Sequence, residues 1–518
     1  MTPLAFLERV ALVHPADTAV VDGPRRVTFA ALAAQATWFA HALAASGVQP
    51  GDRVALLARN SAEVIAANFA VPLAGAVIVP LNTRLAAAEV AAILRHSGAR
   101  LLLADPDLLT PDLAGRVTRP LVVLPRQDGT AAPAAAGVAA ITWAEFWARG
   151  SDAPLPWTAA DENLPLTLNY TSGTTGRPRG VLHTHRSAYL NALGHALHQR
   201  LTQESVYLWT LPMFHCNGWA SIWAAVAVGA RQVCLRSVDG PLAWALIEQE
   251  GVSHLAGTDA ALRIVADAAA GRRFSRPVTV HTGGTPPAPA FIARFLELGA
   301  QVVHGYGMTE TGGPYTVCEE QPGWRDRPLP EYAGLLARQG VPQVTAGPLR
   351  VVEVRADDQL VDVPSDGATV GEVVASGNTL MAGYHDDPAG TAEAFRGGWL
   401  HTGDLAVRHP DGYIQITDRL KDIIVSGGEN ISPAEVEQAL LTHEAVAEVA
   451  IVGVPDARWG ERPKAFVVAR HAVDPADLIA HAAASIARFK VPRAIEFTDQ
   501  LPRTATGKVQ KHLLRAAP

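Results

Sequence analysis

Tyr170-Thr171-Ser172-Gly173-Thr174-Thr175-Gly176-Arg177-Pro178-Arg179-Gly180 follows the apolar run Leu166-Thr167-Leu168 and precedes a helical stretch from His185 to His198. Glycines let backbone N–H groups close on an anion. The hydroxyls of Thr171, Ser172, Thr174 and Thr175 add donors, and Arg179 adds fixed positive charge. The segment suits the polyphosphate of a nucleotide. The competing reading, a flexible Ser/Thr/Gly linker, is disfavoured by the strand–loop–helix setting. The GxxxxGK[ST] spacing of the usual phosphate loop is absent.

Around this loop, from about residue 18 to 310, short apolar runs alternate with amphipathic helical stretches. The runs include Arg53–Leu57, Val77–Leu81, Val206–Leu208 and Val278–Val280. Helices are expected over Ala87–His96, Asn217–Val228 and Ala290–Leu298. That βα alternation predicts an α/β fold of layered, largely parallel sheets. From about 346 to 418, strand-like runs meet Asp-Gly turns, which predicts an antiparallel β subdomain. After Asp418 a smaller α+β segment is expected, with a helix near Pro433–Leu441 and strands near Val449–Val452 and Ala465–Val468.

The chain has 518 residues, 48% apolar and 18% charged, which excludes wholesale disorder. A net charge of −7 gives no positive field for nucleic acid. The uncharged stretches Ser205–Ala230 and Val64–Thr83 are broken by Pro, Asn or His and read as buried pieces, not membrane spans. The first residues show no signal peptide. Three scattered cysteines, Cys216, Cys234 and Cys318, make neither a disulfide framework nor a zinc site, which suggests a reducing, cytoplasmic location.

Further glycine clusters end predicted strands. They are Thr282-Gly283-Gly284-Thr285 and His304-Gly305-Tyr306-Gly307-Met308-Thr309-Glu310-Thr311. Glycines there admit a planar ligand to the backbone, Tyr306 offers a stacking face, and Glu310 can hold Mg²⁺ beside phosphates. Trp399-Leu400-His401-Thr402-Gly403-Asp404 and Asp418-Arg419 place a carboxylate and an Arg where ribose hydroxyls can be chelated. Each cluster taken alone also reads as an ordinary turn.

Together with Asp418–Ile431 and Pro502-Arg503-Thr504-Ala505-Thr506-Gly507-Lys508, these clusters resemble, in order, the acyl-adenylate-forming superfamily. The resemblance covers nearly the whole chain. It implies a large N-terminal domain, residues 1–418, and a small mobile C-terminal lid domain, residues 419–518. It implies ATP, Mg²⁺ and coenzyme A as reactants: a carboxylate attacks the α-phosphate, giving acyl-AMP and pyrophosphate, and a thiol then displaces AMP.

The resemblance also implies roles. Thr171, Ser172, Gly173, Thr174, Thr175, Gly176 and Arg179 hold the β- and γ-phosphates. Gly283, Gly284, Thr285 and Tyr306 sandwich adenine. Thr309 touches the α-phosphate, Glu310 the Mg²⁺, and Asp404 and Arg419 the ribose. Lys508 reaches the bridging oxygens during adenylation, Lys421 is the hinge, and Gly427 and Gly428 border a coenzyme A tunnel. Only five of the 43 basic residues are lysines, all beyond residue 420, and Lys421 and Lys508 are among them. The other three, Lys464, Lys490 and Lys511, are candidates for the surface or the coenzyme A phosphates.

Pro212–Trp219 matches the family's acid-pocket segment, so His215, Cys216 and Trp219, with Asp259, Gly307 and Met308, are expected to line the pocket. His215 is counted among the catalytic candidates; a satisfied structural histidine is its other reading. Amino-acid-activating relatives have Asp where His215 stands. This argues against an α-amino acid and favours short- and medium-chain acyl-CoA synthetases. Arg179 replaces the usual Lys, Thr285 a common Ala, and Asp259 a usual Pro. Asp259 faces either a polar substrate group or caps a helix. The competing function is an adenylating enzyme of secondary metabolism, with a carrier-protein thiol or amine as acceptor, or with nitrite activation for diazo formation.

Overall fold

The computed structural model describes residues 1–127, 140–171, 179–355, 359–426, 429–456, 459–503 and 509–515. The backbone divides into two compact units: Met1–Pro348 with Ser376–Ala394, and Leu349–Ala375 with Phe395–Pro518.

Two sheets build the first unit. One runs in the order Gly383–Tyr384, Arg179–Thr184, Pro165–Thr171, Val77–Pro80, Arg53–Leu57, Leu101–Ala104, Leu121–Val123, Ala140–Thr142. Its central strands are parallel and read as unbroken apolar runs because both faces are covered. The other carries His254–Gly257, Val278–Gly283 and Ala300–Met308 as parallel neighbours, with Gly313–Val317 antiparallel beside the last. Helices fill the crossovers. Ala87–His96 is found as expected, and Pro289–Glu297 matches the expected Ala290–Leu298 to within one residue at each end. His185–His198 begins at Thr184, whose hydroxyl accepts from the Ser187 N–H while the Ser187 hydroxyl accepts from the Thr184 N–H, both at 3.0 Å.

The helix expected over Asn217–Val228 is a correction. It begins only at Ser221, and residues 216–220 form a left-handed turn with φ between 40° and 62°. Four of those five residues carry a Cβ, which disfavours that conformation. Buried hydrogen bonds hold it. Asn217 Oδ1 accepts from Thr167 Oγ1 (3.0 Å) and Asn169 Nδ2 (2.9 Å), and its Nδ2 donates to Asn68 Oδ1 (2.6 Å). Apolar periodicity carries no trace of such a tertiary constraint.

In the second unit, Leu349–Val352, Val370–Ala375, Leu400–Arg408 and Ile414–Arg419 form an antiparallel sheet in chain order, as the Asp-Gly turns predict. The expected break at Asp418–Arg419 falls at the end of its last strand, and the second unit continues through the residues that follow. Those residues include helix Pro433–Leu441 and a hairpin, Val446–Asp456 with Gly460–Ala469, longer than the expected strands.

Candidate active site

The phosphate-loop candidates Ser172, Gly173, Thr174, Thr175 and Gly176 lie outside the described residues. Their flanks are described. Thr171 and Arg179 are ladder partners on antiparallel strands, and the second strand, Arg179–Thr184, intervenes before the helix. The Arg179 guanidinium lies over the Tyr384 ring, 5.1 Å from its centre, and 4.0 Å from Asp387.

Beyond strand Ala300–Met308, Thr309–Thr311 form one tight turn whose three carbonyls are all held from outside it. His183 Nε2 donates to Thr309 O (2.6 Å), the Met381 N–H to Glu310 O (2.8 Å), and Asn191 Nδ2 to Thr311 O (3.1 Å). Burial pulls the His183 imidazole down to about 4, so it is neutral at pH 7. Glu310 is only 7% exposed, and Tyr384 Oη donates to its Oε1 at 3.0 Å. Burial, then the Glu310 charge, raises the Tyr384 phenol above its ordinary value, so it stays a donor.

Glycine is required at the adjoining strand ends. A Cβ on Gly283 would stand 2.6 Å from Gly305 O, and one on Gly307 only 2.0 Å from Gly313 O. Tyr306, Met308 and Thr285 are half-buried and Gly284 is exposed. The Trp219 indole lies against the Gly283–Gly284 turn and edge-on to His281, with ring centroids 5.4 Å apart.

Cys216 sits beside the Thr309–Thr311 turn, and His215 precedes it in the chain. Burial, then the Arg84 charge, pulls the His215 imidazole down to about 4, and its Nε2 is buried without a partner among the described residues. Burial pushes the Cys216 thiol up to about 12, with Thr309 as its hydrogen-bond partner and Glu310 close by. A thiol held that high is not a nucleophile at pH 7. Among the described residues, Cys216, Cys234 and Cys318 form no disulfide.

Asp259 is the first residue of helix Asp259–Asp267, and Thr258 occupies the N-cap position. The Asp259 carboxylate takes two hydrogen bonds from Arg263, at 2.8 and 3.1 Å.

In the second unit, Arg419 Nε lies 3.0 Å from Asp404 Oδ1, and Asp404 is buried. Asp418 accepts from Ser432 Oγ (2.6 Å) and the Ala434 N–H (3.0 Å), tying the last sheet strand to the following helix. The side chain of Lys421, and Gly427, Gly428 and Lys508, lie outside the described residues. Lys511 pairs with Glu437, Lys490 with Glu435 and Lys464 with Glu496, so these three lysines are engaged in ion pairs.

The sequence pattern of the AMP-binding enzyme family matches residues 7–385, and that of the AMP-binding enzyme C-terminal domain matches residues 435–508. The chain belongs to the AMP-binding enzyme family. This AMP-binding enzyme is 40% identical to 4-hydroxybutyrate–CoA ligase 2 of Metallosphaera sedula, over 99% of its own length and 94% of the relative's. It is also 40% identical to an acetate–CoA ligase of Humulus lupulus, over 100% and 94%. Among solved structures, o-succinylbenzoate coenzyme A synthetase of Bacillus subtilis with ATP and a magnesium ion superposes with a TM-score of 0.82. It is 28% identical, with 98% of each chain covered.

The AMP-binding enzyme's donor set fits Mg²⁺. No group of three or more His, Cys, Asp or Glu able to hold a metal occurs among the described residues. Mg²⁺ takes one or two carboxylates and completes its shell with substrate phosphates and water. Buried Glu310, with one oxygen on Tyr384, supplies such a carboxylate. No helix among the described residues is long and apolar enough to cross a membrane.

Four residues of this arrangement escape the sequence reading: His183, Asn191, Met381 and Tyr384. None stands in a glycine cluster. Tyr384 joins the site through a two-residue strand, Gly383–Tyr384, paired with Leu182 and Val181. A strand that short leaves no periodic signal.

Proposed function

We propose that this enzyme activates a small aliphatic carboxylic acid as its acyl-adenylate and transfers the acyl group to coenzyme A. The Thr309–Thr311 turn carries this reading: three carbonyls fixed from three directions, a buried carboxylate, and an Arg179–Tyr384 pair leading back to the glycine-rich loop. Such a turn is preorganised to meet phosphate charge, the main catalytic term in reactions of this kind.

In the first step, a carboxylate oxygen of the acid attacks the α-phosphorus and pyrophosphate leaves with the P–O electron pair. The nucleophile is already anionic, so no general base is required. Thr309 and Lys508 contact the phosphate oxygens, Arg179 and the glycine-rich loop hold the β- and γ-phosphates, and Glu310 is the Mg²⁺ ligand. When bound, Mg²⁺ neutralises phosphate charge. Gly283, Gly284, Thr285 and Tyr306 enclose adenine, and Asp404 and Arg419 hold the ribose. In the second step, the coenzyme A sulfur attacks the acyl carbon and AMP departs. Rotation at Lys421, bringing Gly427 and Gly428 to the thiol channel, separates the two steps.

Relatives at 40% identity that bear the names of 4-hydroxybutyrate and acetate ligases support a short acid. The Trp219 indole against Gly283–Gly284 supports a shallow pocket, with His215, Cys216, Gly307 and Met308 as its other walls. Asp259 is left out of that wall because Arg263 already takes its carboxylate. A cytoplasmic location accords with cysteines that form no disulfide among the described residues.

Pyrophosphate release over C2 to C8 acids, with and without coenzyme A, tests the reading. Turnover that requires coenzyme A and peaks at short acids supports it. Sustained turnover without coenzyme A, in the presence of an amine or a carrier protein, overturns the choice of acceptor.

A further inference from the structure

We propose that Glu372, which no glycine cluster of the sequence contains, is a positioning residue for ribose recognition, acting through the Gly403–Asp404 turn. The inference rests on the reading that Asp404 binds ribose.

The strands Val370–Ala375 and Leu400–Arg408 fall out of register here. Glu372 stands opposite Leu405 and Val374 opposite His401, so Val373 alone faces Thr402, Gly403 and Asp404. Strand excursions of this kind lose ladder hydrogen bonds and re-aim side chains. The lost bonds are replaced from the opposing strand. Thr402 Oγ1 donates to Val373 O (2.8 Å) and accepts from the Asp404 N–H (3.1 Å). Glu372 Oε1 accepts from the Gly403 N–H (3.1 Å), at a residue with φ of 68°. Its Oε2 accepts from His401 Nδ1 (2.8 Å) and Arg396 Nη2 (3.2 Å).

Glu372 is therefore a buried carboxylate, 4% exposed, with both oxygens engaged by residues on or just before the excursion. Burial pushes its carboxyl up, but His401, the Gly403 N–H and Arg396 outweigh that and hold it below its ordinary value. It stays charged at neutral pH. Asp404, the next residue, comes out beside Arg419. A shorter side chain at 372 leaves the Gly403 N–H unpaired and the turn free to settle back toward regular pairing, which displaces Asp404.

The test uses the full chain and its best acid, with kcat and KM measured for ATP and for 2′,3′-dideoxy-ATP. Wild type is expected to discriminate between the two nucleotides, and Asp404→Ala to lose that discrimination. Glu372→Ala should raise the KM for ATP about tenfold with kcat changed far less, and its discrimination should collapse toward that of Asp404→Ala. Glu372→Gln keeps an acceptor for the Gly403 N–H and should fall between. Discrimination lost in Asp404→Ala but kept in Glu372→Ala overturns the inference alone. If Glu372→Ala does not fold, Glu372→Gln decides: reduced discrimination supports the inference and a wild-type value overturns it. A wild type that does not discriminate overturns the ribose assignment of Asp404, and the inference with it.

Discussion

Tyr384 Oη donates to Glu310 Oε1 across 3.0 Å, while the Arg179 guanidinium lies over the face of the same ring. One phenol thus links the cation at the end of the glycine-rich loop to the carboxylate of the Thr-Glu-Thr turn. Ring and cation attract through the aromatic quadrupole, and the hydroxyl serves a buried anion that would otherwise lose a donor.

Tyr384→Phe keeps the ring under Arg179 and removes only the hydroxyl. A hydrogen bond to a charged group is worth about 1.5–3 kcal/mol, so kcat/KM for acyl-adenylate formation should fall by roughly 10- to 100-fold. Thioester formation from supplied acyl-AMP should change much less, because pyrophosphate has already left. Pyrophosphate-release kinetics and a stopped-flow thioester assay measure the two. Equal losses in both would remove Tyr384 from the phosphate chemistry.

Asn217→Ala tests the left-handed turn. The substitution takes the partner from Asn169 Nδ2 and Asn68 Oδ1, leaves Thr167 Oγ1 to donate to Ile78 O or Asn169 Oδ1, and puts alanine where φ is 47°. Each stranded buried group costs about 1–3 kcal/mol, and left-handed φ adds about 1–2. The variant should be at least about 2 kcal/mol less stable in urea unfolding, and its KM for the acid should rise because His215, Cys216 and Trp219 ride on the turn. Unchanged stability would show that the hydrogen bonds do not hold the strained residues.

The order of strands and helices was legible in the sequence because buried parallel strands and amphipathic helices leave runs and periods. Glycines such as Gly283 and Gly307 were legible for a different reason: backbone approach to another strand excludes any Cβ. His183 was not, because its task is to hold one carbonyl 126 residues away. Nor was the break at 216–220, since Cys-Asn-Gly-Trp fits an apolar helical pattern and only Asn68, Thr167 and Asn169 decide against it. Glu372 reads as one residue of an ordinary strand; its function comes from a register shift that no local pattern encodes.

Asp259→Asn and Asp259→Pro settle the residue that departs from the family. The carboxylate lies on Arg263, an i,i+4 pair on the first turn of its helix, and Arg263 is half exposed. Such pairs are worth about 0.3–0.5 kcal/mol, and proline is well tolerated at a first helical position. Both variants should stay within about 1 kcal/mol of wild type and keep its acid profile. A shift of preference toward plain aliphatic acids in either would bring the Asp259 carboxylate into contact with substrate.

Acid should unfold this enzyme before its carboxylates titrate. Burial pulls His183, His185, His215 and His304 down to about 4, and His281 to about 3. In the unfolded chain these imidazoles titrate near roughly 6.5. Between those values the unfolded state binds protons that the folded state excludes, so unfolding takes up protons and stability rises with pH across the window. The contribution is fully present above about pH 6.5 and is lost as pH falls toward 4, at up to about 1.4 kcal/mol per pH unit for each group. Tm measured from pH 7.5 to 5 should stay level at first and then drop steeply below about 6.5. His304→Asn isolates one member of the set. His304 Nδ1 donates to Arg338 O at 2.8 Å, and the asparagine amide can supply a donor near that atom without a titrating group. The variant should be less stable at pH 7.5 but lose less stability on acidification, by about one proton's worth of slope. A Tm that is flat from pH 7 to 5 in wild type, or a slope unchanged in His304→Asn, would mean that these imidazoles are protonated in the folded protein.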